Sequence, residues 1–510
     1  MRIASFPALQ TVYLGAAIRA AEGIAMSRFG LDEDDLMARA GLAAWRLVLE
    51  RWPQAQRIGV ACGPGNNGGD GYILAALALG SGRQVSLLQL GEGPGSDVAR
   101  RAQAVFLQTG GQITAFNADA ALPQVELWVD ALFGIGLRRP LDGAAGDLVH
   151  ALNRAATDRR VPLFALDVPS GVDADTGDDH GLSVRADVTL AFIAGKPGLY
   201  TGRGRVAAGD VVVDALGLAD HLFDDLEPAA RVARADALSS CFAPRPHDAH
   251  KGHFGHVLCI GGDRGYGGAL ALCTEAAHRV GAGLVSAATR AEHVPVLLAR
   301  RPETMVRAIE DVDGGSDGLS ALLDKASVIA IGPGLGGSEW SLSLLHAAMD
   351  AGKPLVLDAD ALNALARRDA EALRDAVLTP HPGEAARLLG TTTDAIAADR
   401  LRHARQLAAR FDCAVVLKGA GTVVAAPGQV PILIDAGNPG MATGGMGDVL
   451  TGVIAGLIAQ GAAPFDAAAC GALLHAVAAD RAARDGGERG LLPSDLFANL
   501  RRSANPGAMA

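Results

Sequence analysis

Short apolar runs alternate along the chain with longer Ala- and Leu-rich stretches whose apolar positions fall three and four apart, a pattern that predicts parallel strands joined by crossover helices. In the first half, strands are predicted at 57–62, 84–90, 127–130, 162–167 and 188–193. A helix is predicted over 34–51, where Leu36, Ala40, Ala44, Leu47 and Val48 share one face. An acidic stretch at 223–230, closed by Pro228, and then Pro244-Arg245-Pro246-His247 interrupt the alternation. It resumes with strands at 256–260, 284–287, 328–331, 355–358, 376–378, 414–417 and 422–425. The interruption places a domain boundary near 225–235, giving domains at 1–228 and 229–510. No short-period repeat is present, and the tail from Ser503 is expected to be disordered.

A 510-residue chain exceeds one ordinary core, which agrees with two domains. Hydrophobic content of 49% with 20% charged residues describes a soluble globular protein. The 65 glycines imply many tight turns and close backbone approaches, as in nucleotide-handling α/β proteins. A net charge of -11 leaves no basic footprint for nucleic acid. The six cysteines (Cys62, Cys241, Cys259, Cys273, Cys413, Cys470) form no CxxC pair and read as small core residues in a reducing compartment, not as a zinc site. No signal segment or membrane-length run is seen, so a cytoplasmic protein without membrane contact is expected. A homo-oligomer is also expected.

The most informative stretch is Asn438-Pro439-Gly440-Met441-Ala442-Thr443-Gly444-Gly445-Met446-Gly447-Asp448, directly before an apolar run that reads as a helix. A glycine turn opening a helix aims several N–H groups at one point, and the helix dipole adds positive potential there. Asp448 stands beside that anion site. A carboxylate there suits proton removal from a substrate hydroxyl next to a transferring phosphoryl group; the alternative is an ordinary N-cap Asp.

Three further polar loops follow strands in the first half. Gly63, Gly65 and Gly68 fit the dinucleotide-binding spacing, and Glu92 lies near the end of the next strand, so a dehydrogenase is one reading. Asp70 opposes it, standing where a pyrophosphate would meet the helix. Asn66 and Asn67 add polar side chains that a phosphate turn does not need. Loops at Asp130-Ala131-Leu132-Phe133-Gly134 and Asp167-Val168-Pro169-Ser170-Gly171 emerge on the same carboxyl edge. Asn67, Asp130 and Ser170 could then converge as hard oxygen donors with one negative charge, suited to a monovalent cation, although Asx residues in loops also serve as turn formers. Asp167 ends an apolar strand and is a candidate for proton transfer.

The motifs Asn66-Asn67-Gly68-Gly69-Asp70-Gly71, Asp130 to Gly134 and Asp167 to Gly171, flanked by Leu36-Met37-Ala38-Arg39-Ala40-Gly41 and Lys196-Pro197-Gly198-Leu199, resemble the NAD(P)H-hydrate epimerase family over residues 10–220. The resemblance implies a Rossmann-like three-layer sandwich that interconverts the R and S epimers of hydrated NADH or NADPH. It implies substrate contacts at Asn66, Asn67, Gly68, Gly69, Asp70, Gly134, Ile135, Gly136, Leu137, Arg138, Arg139, Pro140 and the catalytic Asp167. It assigns a potassium ion to Asn67, Asp130 and Ser170.

In the second half, strand ends carry Gly261-Gly262-Asp263-Arg264-Gly265-Tyr266-Gly267-Gly268-Ala269, Gly332-Pro333-Gly334-Leu335-Gly336, Asp358-Ala359-Asp360, His381-Pro382-Gly383-Glu384 and Lys418-Gly419-Ala420-Gly421-Thr422. No Walker motif is present. Together with the turn before Asp448, these motifs resemble the ribokinase-like superfamily and, within it, the ADP-dependent NAD(P)H-hydrate dehydratase family, over residues 240–500. The resemblance implies a ribokinase-like α/β fold. It places nucleotide at Lys418, Gly419, Ala420, Gly421, Thr422 and Gly447, the hydrate at Ala269, Gly334, His381 and Asp448, and magnesium with ADP. Asp448 would take the hydroxyl proton as phosphate is installed as a leaving group, and AMP and phosphate would be released. Together the halves imply repair of NADHX and NADPHX. The rival reading is a metabolite kinase carrying a non-catalytic binding module.

Overall fold

The computed structural model describes residues 9–218, 220–310, 317–368 and 372–505. The chain divides into two compact units: Thr11–Ala230, and Arg231–Ala510 together with Met1–Gln10.

In the N-terminal unit the strands are β1 (Arg57–Cys62), β2 (Gln84–Gln89), β3 (Ile113–Ala115), β4 (Leu127–Ala131), β5 (Leu163–Leu166), β6 (Val188–Phe192) and β7 (Asp210–Asp214). They pair in the order β3-β2-β1-β4-β5-β6-β7, every neighbour parallel. The order reverses at β1, so a crevice opens beyond the carboxyl ends of β1 and β4. Alternation along β1 builds the layers. Ile58, Val60 and Cys62 pack with helices α2 (Glu33–Arg51), α3 (Asn66–Gly80) and α4 (Asp97–Gln108). Ala61 packs on the opposite face with Leu148, Val149 and Leu152 of α5 (Gly143–Arg159). β3 and β7 escape a hydrophobicity reading because one is short and largely exposed and the other is only partly buried.

The C-terminal unit contains β8 (Ala230–Ala233), β9 (His256–Ile260), β10 (Leu284–Thr289), β11 (Met305–Ala308), β12 (Val328–Ile331), β13 (Leu355–Leu357), β14 (Ala376–Leu378), β15 (Ala414–Leu417), β16 (Val423–Ala425) and β17 (Ile432–Ile434). From β8 they run β8-β17-β16-β15-β14-β13-β12-β9-β10-β11. The expected parallel pattern holds from β15 to β11, but β16 pairs antiparallel with both β15 and β17. Short loops joining β15, β16 and β17 permit hairpins there and leave no room for crossover helices. After α6 (Gly267–Arg279) come α7 (Glu339–Asp350) and α8 (Arg400–Phe411). One face is covered by α6, α9 (Met446–Ala459) and α10 (Pro464–Gly486), whose apolar residues form one cluster with Val257, Cys259, Val328, Val356 and Val416. All six cysteines are buried free thiols.

Two local expectations change. Ser503 is not in a disordered tail: it ends the helix Leu496–Ser503, is 1% exposed and receives a hydrogen bond from Arg481. Residues 506–510 lie outside the described residues. Asn66 to Asp70 are also not a loop. They form the first turns of α3, capped by Gly65.

Helix α9 crosses α6 at Gly452. A Cβ there would lie 2.0 Å from the Cys273 carbonyl and 2.9 Å from the Ala276 Cβ. Gly452→Ala should therefore destabilise the C-terminal unit by about 1–3 kcal/mol. Gly268→Ala, on α6 with no neighbour within 4 Å of its Cβ position, should leave stability almost unchanged or slightly raised. Hydrogen exchange of the α9 amides would distinguish the two variants.

Candidate functional sites

In the N-terminal unit a cavity of about 560 Å³ opens above β1, β4, β5 and β6. It is lined by Asn66, Asn67, Asp70, Gly134, Ile135, Gly136, Leu137, Arg139 and Asp167, and by Glu22 from α1 (Gly15–Phe29). Gly68 and Gly69 serve packing. A Cβ on Gly68 would meet the Gly63 carbonyl at 2.1 Å, and one on Gly69 would meet Met37. Of the expected arginines, Arg139 lines the cavity, while Arg138 reaches Asp175 at 3.8 Å.

Asp167 takes a left-handed backbone conformation at φ 63, uncommon for a residue with a Cβ. This kink follows β5 and turns the carboxylate into the cavity. Its Oδ2 accepts from the Ile135 N–H at 3.3 Å, and its Oδ1 accepts from Lys196 Nζ at 2.5 Å. Lys196 is wholly buried and also donates to the Phe192 carbonyl at 2.8 Å. Asp70 is held well above the usual carboxylate range by burial, then by the charges of Asp167 and Glu22. Burial and Asp167 likewise raise Glu22, against Lys196 and Arg19.

Beside the cavity, Asp130 lies at the end of β4, fully buried. It accepts from Leu132 N at 3.1 Å, Ser170 N at 2.8 Å and Ser170 Oγ at 2.7 Å. Burial outweighs these bonds and pushes its carboxyl up to about 6. The buried Asn67 amide has no hydrogen-bond partner at either Oδ1 or Nδ2. An orphaned amide oxygen and a carboxylate whose charge is penalised by burial, with a hydroxyl against it, fit a large monovalent cation.

In the C-terminal unit the helix cap is Gly445, at φ 96, with no side-chain cap. Asp448 is the third residue of α9, which removes the ordinary N-cap reading. Burial first, then Asp358 and Asp360, push its carboxyl up to about 7 despite the nearby Lys418. Beneath it Lys418 Nζ donates to Asp358 Oδ1 at 2.8 Å, and Thr451 Oγ1 donates to Asp358 Oδ2 at 2.9 Å. Burial disfavours both charges, yet mutual attraction prevails: Lys418 is raised and Asp358 lowered. Gly447 covers this pair. A Cβ on it would lie 3.2 Å from both Asp358 Oδ2 and Lys418 Nζ.

His381 caps the helix Pro382–Leu389. Its Nδ1 accepts from Gly383 N at 3.0 Å, which leaves the proton on Nε2, and burial followed by Lys418 lowers its pKa. Gly334 and Ala269 face one another: a Cβ on Gly334 would lie 3.2 Å from that of Ala269. Gly419 and Ala420 form an exposed loop, fixed below by Arg400, which donates to the Leu417 and Lys418 carbonyls at 3.0 and 3.1 Å. Thr422 closes the loop by donating to the Gly419 carbonyl at 3.0 Å. Asp480 of α10 anchors the glycine turn by accepting from Gly437 N and Asn438 Nδ2, each at 2.8 Å. Of the predicted residues, Lys418, Gly447, Asp448 and His381 thus gather around Asp358.

Sequence reading left Glu22, Thr451 and Asp480 without roles. Asp358 was visible only as a loop carboxylate, and Lys196 only within a flanking motif. The signal for both was a charged residue at the end of an apolar strand or just beyond it.

Residues 33–198 match the family described as YjeF-related protein N-terminus, and residues 257–502 match that described as NAD(P)H-hydrate dehydratase. The chain is 44% identical over 503 residues to the bifunctional NAD(P)H-hydrate repair enzyme Nnr of Coxiella burnetii, covering 98% of this chain and 100% of that protein. It is 44% identical over 498 residues to the enzyme of the same description from Escherichia coli K12, covering 97% and 94%. Among solved structures, a ribokinase-like superfamily protein from Enterococcus faecalis V583 is similar, with 32% identity and a TM-score of 0.50. That match covers 54% of this chain and 95% of that one.

In the Lys418–Asp358 pair the carboxylate is buried and the ammonium partly so. In the native chain Asp358 is depressed, so its stabilisation is present above the unfolded value of about 3.9 and is lost as pH falls through the folded one. Lys418→Met leaves a buried carboxylate without its cation, at a cost of about 3–5 kcal/mol. Its folded pKa then rises above the unfolded value, so as pH falls from 8 to 5 the variant should gain more stability than the native chain, which gains only from its own raised carboxyls such as Asp70, Asp130 and Asp448. Urea unfolding at the two pH values would show this.

Proposed function

The chain belongs to the bifunctional NAD(P)H-hydrate repair enzyme family, and on that premise we propose how the work is divided: residues 1–228 epimerise the hydrates of NADH and NADPH, and residues 229–510 dehydrate the S form using ADP. The observation that carries the reading is the difference between the two sites. One is a cavity of carboxylates around a buried lysine. The other is a helix N-terminus with a carboxylate in its first turn above a partly buried lysine paired to a buried aspartate.

In the second site, hydroxide is a poor leaving group, so the substrate hydroxyl is phosphorylated and then expelled as phosphate. Asp448 accepts the hydroxyl proton while the Gly444 to Gly447 backbone faces the moving phosphoryl group. Lys418 lies beside it, and neutral His381 can donate from Nε2 to the hydrate. Ala269 and Gly334 shape the hydrate's side of the site. Gly419, Ala420, Gly421 and Thr422 receive the nucleotide. Magnesium travels with the ADP phosphates and supplies charge neutralisation. In the first site Asp167, oriented by Lys196 and the Ile135 amide, exchanges protons with the hydrate. Asn67, Asp130 and Ser170 would hold potassium, which would supply electrostatic ordering of the helix start, strand end and loop that carry them. A homo-oligomer and a cytoplasmic setting complete the reading.

Asp448→Asn should abolish recovery of reduced cofactor from S hydrate and ADP while leaving epimerisation intact. Asp167→Asn should do the reverse, and loss of both activities in either variant would contradict the two-site assignment. Because Asp448 accepts a proton only when ionised, kcat/KM for dehydration should rise with pH and level off above about 7. Potassium, compared with equal sodium, should raise the Tm of the N-terminal unit, and Asn67→Leu should remove that difference.

A further inference from the structure

Epimerisation must exchange a hydroxyl between two faces of one carbon. Hydration of an enamine places that hydroxyl on the carbon next to the ring nitrogen. Inversion there needs one group to protonate the departing hydroxyl and another to take a proton from the incoming water. A single carboxylate beside the ring meets half of that need.

The cavity holds a second candidate. Glu22 projects from α1, an element separate from the strand ends that carry Asp167 and the proposed potassium ligands, yet it lines the same cavity. Its charged neighbours are Arg19 on its own helix, Glu33 on α2, and Asp167 and Lys196 from the sheet edge. Asp70 of α3 also interacts with it. Asp70 is the more deeply buried of the two, whereas Glu22 is partly exposed. Asp167 is already engaged by Lys196 as a carboxylate. No cation contact of Glu22 under 4.0 Å is found among the described residues.

We propose that Glu22 is the second catalytic carboxyl of the epimerase site, giving a proton to the departing hydroxyl while Asp167 takes one from the water that adds to the opposite ring face. This rests on the epimerase reading above. In the step, the Glu22 proton passes to the hydroxyl oxygen, the carbon–oxygen bond breaks, and the ring nitrogen lone pair forms a carbon–nitrogen double bond. Water leaves. A second water adds at the same carbon, its proton goes to Asp167, and the pair returns to nitrogen. The net change is inversion at carbon and transfer of one proton from Glu22 to Asp167. That state is poised for the reverse direction, as an epimerase requires. Burial and the neighbouring carboxylates favour the protonated form of Glu22.

The test uses the full chain, pure R hydrate, and dehydration of the S hydrate as an internal control. Glu22→Gln should lower the kcat of epimerisation by about 10²–10⁴-fold, with KM changed little and dehydration of S hydrate at the native rate. Glu22→Asp should restore part of the loss. The native alkaline limb of the kcat/KM profile, set by deprotonation of Glu22, should disappear in Glu22→Gln, and oxygen-18 from solvent should enter the hydrate once per inversion in the native enzyme. Epimerisation within tenfold of native with an unaltered pH profile would overturn the role of Glu22. Should Glu22→Gln fail to fold, the Glu22→Asp rate and the native isotope exchange still decide: inversion without solvent oxygen would overturn the step. A native chain that does not epimerise at all would sink the epimerase reading itself, a different failure from a native-like Glu22→Gln.

Discussion

A charge buried in protein must be given a counter-charge, and both units are organised around that requirement, one at a lysine and the other at an aspartate. Lys196 is wholly buried against Asp167, and Lys418 lies against Asp358 beneath Gly447. An isolated buried charge is costly enough that each pair stands or falls together. Each lysine sits just beyond the end of a strand. The geometry of a parallel sheet therefore decides where the charge goes, and the remaining polar groups are arranged around it. Thr451 fills the second oxygen of Asp358, and the Ile135 amide that of Asp167.

Close backbone approach is the second requirement, and it explains the glycines better than flexibility does. A Cβ on Gly63 would lie 1.9 Å from the Leu132 carbonyl, one on Gly332 would lie 1.9 Å from the Asp358 carbonyl, and one on Gly261 would lie 2.1 Å from the Pro333 carbonyl. At all three points a loop leaving one strand presses on the loop leaving its neighbour. The loops can converge on a ligand only because nothing separates them.

Much of this was legible in the sequence. Apolar runs located most strands of both sheets, and glycine spacing marked the loops, because buried parallel strands are continuous apolar segments. The strand at β16 was located, but its antiparallel direction could not be read, since a hairpin strand and a parallel one share the same residues when both faces are buried. Asn66 to Asp70 looked like a loop because Gly68 and Gly69 opposed helix; packing of α3 against Gly63 and Met37 overrides that propensity. Glu22 was invisible because it sits on a helix far in sequence from every motif. Nothing local distinguishes it from a surface glutamate, and only folding brings it to Asp167.

The two sites differ in the sign of the field they offer. In the N-terminal cavity Glu22, Asp70 and Asp167 share one buried lysine, so protonation is favoured and a cation among them is stabilised. Loss of hydroxide from a carbon beside nitrogen creates such a cation in the ring. In the C-terminal site the first turn of α9 points its amides outward above Lys418, which favours a transferring phosphoryl anion and sets a carboxylate, Asp448, where it is only marginally ionised at neutral pH. The same hydroxyl is thus handled twice. Proton transfer suffices where it has only to change faces, since the two epimers differ little in energy. Irreversible removal needs phosphate as the leaving group, and hence the opposite electrostatics. In the second site the ring cation forms only as phosphate departs, beside the anion that has just left it, whereas in the first it forms without any phosphate, so the carboxylates themselves must supply the counter-charge.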